Sequence, residues 1–311
     1  MTSEIRFDGQ VAIVSGAGHG LGRTYALDLG RRGAKVVVND IDLPAAGVVV
    51  EEIADEGGTA IACDASAGSF EGTAEIVRFT LDVFGDLDVL INNAAYFRSG
   101  FFEDLEREHV ENMFAVSLFG YFWLTQNVWP IFQRKGYGRV VMTSSAAGMF
   151  GNRASSHYAA TKAGAYGLTR VLSLEGEPHG IKVNCVLPSG RDPVRSGRRE
   201  RPNPSLQTDM GDVAAKLHGR TQPELASHLV TYLASRDCPF TGYAFHTQAA
   251  SYRRVYVGVS NGWLAETTDR LSAEAIRDHI DEITDLTTAR PAGYTADELN
   301  ALAASLAQLD E

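Results

Sequence analysis

Short runs of β-branched and apolar residues recur along the chain at residues 10–15, 35–39, 60–64, 88–92, 139–143, 182–187 and 243–247, and they predict strands. Runs such as V-V-V and V-L-I show no polar face. A strand of that kind is covered on both sides, as in parallel sheets. The segments between the first six runs are long enough for crossover helices, and right-handed crossovers wind those helices onto both faces. The predicted fold class is α/β, a doubly wound parallel sheet of about seven strands.

Residues 189–222, with several Pro, Gly and Arg, break the alternation and read as a long loop serving as a substrate lid. Beyond residue 251 a further strand at 255–259 precedes two amphipathic helical patterns, 272–286 and 295–309. This predicts one domain over 1–311 whose C-terminal extension, 251–311, covers the sheet edge or builds a subunit interface. No internal repeat is present.

The 311 residues are 44% hydrophobic, enough for one large core. With 39 acidic and 28 basic residues the formal net charge is −11, which argues against nucleic acid and anionic membrane surfaces as partners. The start, M-T-S-E-I-R-F-D-G-Q, lacks the apolar core of a signal peptide, and no apolar run approaches the roughly 20 residues of a membrane span. A cytoplasmic protein is expected. Cys63, Cys185 and Cys238 have no ligand spacing, so reduced core cysteines and no metal site are expected.

The first chemical motif is S-G-A-G-H-G-L-G at residues 15–22, between the first strand and the first helix. Gly16, Gly20 and Gly22, with His19 and Leu21 between them, let backbone N–H groups and a helix N-terminus meet a pyrophosphate without obstruction. A tight strand-to-helix turn without a ligand is the alternative. Asp40 ends the second strand eighteen residues after Gly22, near the spacing of about 20 at which a carboxylate binds the adenosine ribose diol, and this points to NAD. His19 is either solvated or a weak contact for an extra phosphate.

The second motif is S-S-H-Y-A-A-T-K-A-G, in which Tyr158 and Lys162 stand four residues apart. On a helix that spacing puts phenol and ammonium on one face, where the positive charge favours the phenolate. A tyrosine so tuned donates and accepts a proton near neutral pH. Ser145, thirteen residues upstream, is the candidate hydrogen-bond partner of a reacting oxygen. His157 points about 100° away from Tyr158 and reads as structural.

These motifs, together with Cys63-Asp64-Ala65, Asn92-Asn93-Ala94-Ala95, Ser144-Ser145 and Val183-Asn184 leading to Pro188, resemble the short-chain dehydrogenase/reductase family from about residue 7 to residue 248. The resemblance implies a Rossmann fold, an NAD(P)-dependent oxidoreductase and catalysis by Ser145, Tyr158 and Lys162, with Lys162 also binding the nicotinamide ribose. It further implies that Asp64, beside Ala65, holds the adenine amino group. Asn92 and Ala94 would line the adenosine side, and the Pro188 segment would meet the nicotinamide carboxamide. The family commonly carries asparagine at the position of Ser117, where it steadies a helix kink and a water leading to the lysine. Serine keeps a donor and an acceptor but reaches less far. The family also pairs helices, here around Phe114 and Ala165, in homodimers or homotetramers.

Tyr96, Phe97, Phe101 and Phe102 follow the fourth strand, and Met149 and Phe150 follow Ser145, so a small-molecule hydrophobic alcohol or ketone is the expected substrate. R-F-D-G-Q-V, V-V-V-N-D, Y-G-R-V-V-M-T-S-S-A-A-G-M-F-G-N and S-A-E-A-I give a closer likeness to family members that act on 3-hydroxyacyl-CoA esters. That points to a CoA or carrier thioester, and Arg191, Arg195, Arg198, Arg199 and Arg201 could clasp its phosphates. Two alternatives stay open: a tailoring enzyme that epimerises or dehydrates on the same fold, and a dinucleotide-binding protein without turnover.

Overall fold

The computed structural model describes residues 4–189, 220, 222–265, 267 and 271–307. The first compact unit, Met1–Arg254, is built on an eight-stranded sheet. Its strands are β1 (Val11–Ser15), β2 (Lys35–Asn39), β3 (Thr59–Cys63), β4 (Val89–Asn92), β5 (Gly138–Thr143), β6 (Ile181–Pro188), β7 (Ala244–Gln248) and β8 (Ser251–Val255). Their order is β3-β2-β1-β4-β5-β6-β7-β8, and β1 to β7 pair parallel. The winding reverses between β1 and β4. Ligands of such sheets bind in the crevice at the carboxyl ends of the strands flanking that reversal.

The crossovers are α1 (Gly20–Arg31), α2 (Leu43–Asp55), α3 (Phe70–Phe84), α4 (Arg107–Phe114) running into α5 (Gly120–Lys135), then α6 (Ala146–Phe150), α7 (Ser156–Gly176) and α8 (Glu224–Ala234). All five residues of β1 and all four of β4 are buried, so apolar runs without a polar face become strands covered on both sides. Phe7, Tyr25, Leu29 and Ile53 fill the layer beneath β1 and β2. Between α4 and α5 the helix widens into a π turn, Ala115–Phe119. A Cβ on Gly120 would lie 2.0 Å from the Ala67 carbonyl oxygen, so glycine is what lets α5 begin against the loop after β3.

The eighth strand was not legible. Ser251–Val255 reads S-Y-R-R-V, exposed along its middle, and it forms at the sheet edge because the turn after β7 folds it back. The run expected as one strand at 255–259 divides: Val255 ends β8, and Gly258–Val259 (β9) pairs antiparallel with Arg290–Pro291 (β10) in the second unit, Val255–Glu311. In that unit the pattern at 272–286 forms two short helices, α9 (Ala273–Asp278) and α10 (Ile280–Thr284), and Trp263 stacks on His279 at 3.9 Å. The last helix is α11 (Thr295–Ala307), held at its start by the Arg290 fork on Glu298 at 2.9 and 2.6 Å.

The β7–β8 turn holds Ala249 at φ 53 and Ala250 at φ 62, the left-handed conformation that alanine disfavours. Replacing the pair by Asn-Gly relieves both residues. The double variant should gain about 1–2 kcal/mol, read as a rise of roughly 2–4 °C in thermal midpoint.

Candidate active site

The cofactor end is built where β1 runs into α1. Gly16 has φ 63, and a Cβ there would lie 2.7 Å from Ala94 Cα; one on Gly22 would lie 2.2 Å from the Gly16 carbonyl oxygen. The turn therefore packs directly against the loop after β4, and only glycines permit it. α1 has no side-chain cap and no acid in its first turn, whereas α2 is capped by Asp42 and α3 by Ser69 with Glu71 following. An N-terminus left so is a site for an anion such as a pyrophosphate.

Asp40 stands over this turn. Its carboxylate accepts from the Gly18 N–H at 3.0 Å and the Asp42 N–H at 3.1 Å. His19 Nε2 lies 3.2 Å from the Asp42 carboxylate and Arg23 pairs with Glu52 at 2.6 Å, so both basic side chains of the turn already have carboxylate neighbours. Asp64 is exposed just past β3, Ala65 is fixed by Asn39 Nδ2 donating to its carbonyl at 2.8 Å, Ala94 lies against the turn, and Pro188 ends β6.

Asn92 is placed differently from what the resemblance implies. Its side chain is fully buried below β4, donating to Thr125 Oγ1 at 2.8 Å and Met142 Sδ at 3.3 Å. Strand alternation turns it into the core and its neighbour toward the crevice. Asn93 Nδ2 donates to the carbonyls of Ser15 and Gly16 at 3.0 Å each, while Ser15 Oγ accepts from the N–H of Asn93 at 3.0 Å and of Ala94 at 3.1 Å. Sequence reasoning passed over Ser15 and Asn93 as site residues. Their signal was a polar residue ending the first of the two strands at the reversal and another just past the end of the second.

The chemical end lies over β5. Ser145 follows it and caps α6, its Oγ accepting from the Ala147 N–H at 3.2 Å. Tyr158 and Lys162 lie one turn apart on α7, which is held to the sheet by Ser144 Oγ donating to the Lys162 carbonyl at 2.6 Å. Lys162 is 1% exposed, donates from Nζ to the Thr143 carbonyl at 2.7 Å and to Tyr121 Oη at 3.0 Å, and lies 5.7 Å from the centre of the Tyr158 ring. Burial pushes its pKa down to about 7.

Ser117 is buried in the π turn, and its Oγ accepts from the Tyr96 N–H at 3.2 Å and donates to the Tyr96 carbonyl at 3.4 Å. It ties the loop after β4 to the helix kink; the hydroxyl beside Lys162 belongs to Tyr121 instead. Phe97 meets the Tyr158 ring edge-on at 5.0 Å, and Phe150 meets His246 edge-on at 6.0 Å. Phe102 is 80% exposed, so the expected aromatics do not all line one wall. His157 is buried, and desolvation pushes its pKa down. Arg191, Arg195, Arg198, Arg199 and Arg201 lie outside the described residues. Among the described residues no group of His, Cys, Asp or Glu could hold a metal ion, and no helix is long and apolar enough to cross a membrane.

A parallel sheet with an uncapped glycine turn at its reversal and a serine, tyrosine and lysine over the next strand defines a dinucleotide-dependent oxidoreductase. The short chain dehydrogenase model matches residues 10–202, and the chain belongs to that family. It is 33% identical over 299 residues to the peroxisomal multifunctional enzyme type 2 of Mus musculus, covering 93% of this chain and 38% of the relative. The full-length Drosophila melanogaster enzyme of that name superposes with a TM-score of 0.80 at 29% identity, over 98% of this chain and 51% of the other. A 7α-hydroxysteroid dehydrogenase complexed with NADH and 7-oxo glycochenodeoxycholic acid superposes with a TM-score of 0.71 at 27% identity, over 80% and 97%. The chain thus spans about half or less of the multifunctional relatives. Those relatives are named peroxisomal, so they lend no support to the cytoplasmic expectation.

The Asn93 clamp yields a test. Asn93→Ala removes two donors from the glycine turn, so dinucleotide affinity should fall about tenfold while the thermal midpoint changes little, read by calorimetric titration.

Proposed function

We propose that the protein is an NAD-dependent dehydrogenase interconverting a secondary alcohol and a ketone on a hydrophobic substrate. The observation that carries this reading is the buried Lys162 ammonium one turn from Tyr158, on a helix tied beside Ser145. A bound nicotinamide supplies the hydride acceptor or donor. Tyr158 takes the hydroxyl proton of the alcohol in oxidation and returns it to the oxygen in reduction. Lys162 lowers the Tyr158 pKa by its charge and is also the candidate for binding the ribose hydroxyls. Ser145 donates a hydrogen bond to the reacting oxygen as negative charge develops on it.

The fit of the glycine turn supports a dinucleotide, with pyrophosphate at the α1 N-terminus and the ribose diol at Asp40, next to Asp64, Ala65 and Ala94. NAD over NADP follows from charge. A 2′-phosphate at about 4 Å from Asp40 is repelled by roughly 4 kcal/mol at an effective dielectric near 20, and Asp42 adds a second carboxylate at this end. For the substrate, the edge contact of Phe97 on Tyr158 supports an apolar carbon skeleton. Likeness to the multifunctional enzymes favours a 3-hydroxyacyl thioester within that class. Phe119, Phe122, Val171 and Leu174, exposed on α5 and α7 or the turn before them, support pairing of two copies through these helices.

Two outcomes test the reading. Measured kcat/KM should favour NAD over NADP by 10² or more, and Asp40→Ala should narrow the ratio; a preference for NADP would remove Asp40 from its role. Tyr158→Phe should lower turnover by about 10² to 10⁴ while dinucleotide binding persists in titration, and near-normal turnover would overturn the mechanism.

A further inference from the structure

We infer that Tyr121 is a positioning residue of the proton-transfer site: its hydroxyl, not that of Ser117, holds the buried Lys162 ammonium where it acts on Tyr158. This rests on the proposed chemistry of Tyr158 and Lys162. An ammonium at 1% exposure needs hydrogen-bond acceptors, because the cost of burying an unpaired charge is large. It has three N–H donors. Two are spent on the Thr143 carbonyl at 2.7 Å and Tyr121 Oη at 3.0 Å, and no other acceptor among the described residues takes the third.

The polarity of this triangle is determined by its donors. Tyr121 is itself 1% exposed, and its O–H donates to the Thr143 carbonyl at 3.4 Å. With its proton so directed, the phenol oxygen presents lone pairs to the lysine. Burial holds the Tyr121 pKa well above its ordinary value, so it stays a neutral acceptor and does not compete with Tyr158 as a base.

The helix geometry explains why the role falls one turn beyond Ser117. The Ser117 hydroxyl is used on both the N–H and the carbonyl of Tyr96. The π turn Ala115–Phe119 then offsets the helix, Gly120 seats it against Ala67, Leu118 packs against Gly164 of α7, and Tyr121 brings its ring to the Lys162 ammonium. V-S-L-F-G-Y thus divides two tasks between Ser117, which fixes the loop, and Tyr121, which fixes the lysine.

Removing the Tyr121 hydroxyl takes an acceptor from a buried cation, so the charged lysine becomes less favoured and its pKa falls further. Less positive charge beside Tyr158 means its proton leaves at higher pH. In alcohol oxidation the acid limb of the kcat/KM profile reports that event.

The test is Tyr121→Phe, which keeps the ring lying 4.8 Å from Nζ and removes one oxygen. With NAD and a panel of secondary alcohols, the acid limb should move up by about one pH unit. Tyr121→His, which retains a ring nitrogen as acceptor, should return the limb part of the way. Ser117→Ala, whatever it does to rate, should leave the limb in place. Thermal midpoints and near-ultraviolet dichroism establish that each variant is folded. A limb unmoved in Tyr121→Phe, or moved as far in Ser117→Ala, overturns the inference. Tyr158→Phe, assayed alongside, separates the two levels: if it retains turnover the catalytic reading itself fails, and if it is inactive while the Tyr121→Phe limb is unmoved, only the role of Tyr121 fails.

Discussion

Keeping an ammonium almost out of water is the constraint around which the chemical end is arranged. Lys162 needs acceptors at fixed positions, and they come from two elements: the carbonyl that ends β5 and a phenol on α5. Ser144 binds the lysine's own carbonyl, so α7 cannot slide along the sheet without breaking that bond and both bonds of the ammonium. Beneath it lies Cys185, whose thiol burial pushes up to about 12; it stays protonated and adds no charge to the pocket. The same desolvation that makes the lysine costly makes its field strong at Tyr158.

At the other end the constraint is steric. The glycine turn and the loop after β4 approach so closely that a single Cβ would collide, and Asn93 with Ser15 fixes the approach by hydrogen bonds. The uncapped N-terminus of α1 is the outcome: its first amides are kept by the fold without an internal partner from a side chain. Asp40 and Asp42 set a negative boundary beside this positive helix end, and a ligand must satisfy both.

What was legible in the sequence was local. The apolar runs of the parallel strands, the glycines of the first turn and the helical spacing of Tyr158 and Lys162 depend on neighbours within a few residues, and the structure shows each of them. Non-local pairings were not legible. Asn92 and Asn93 are adjacent and chemically identical, and only the direction of β4 decides which enters the core. Ser117 aligns with a family position, but the widened turn around it hands Lys162 to Tyr121, a residue that on its own reads as ordinary helix core. β8 forms because β7 offers it an edge; S-Y-R-R-V carries no strand pattern of its own.

That edge strand has a consequence for the protein in a crowded solution. An open sheet ends in unpaired backbone donors and acceptors, which can recruit a strand from another molecule. Here the last strand is five residues long and presents Arg253 and Arg254, the latter laid over the Tyr243 ring at 3.9 Å. Two guanidinium groups on so short a strand would be brought against their own copies in any edge-to-edge pairing, and like charges set opposite each other disfavour it. Strand addition at this end of the sheet is thereby disfavoured.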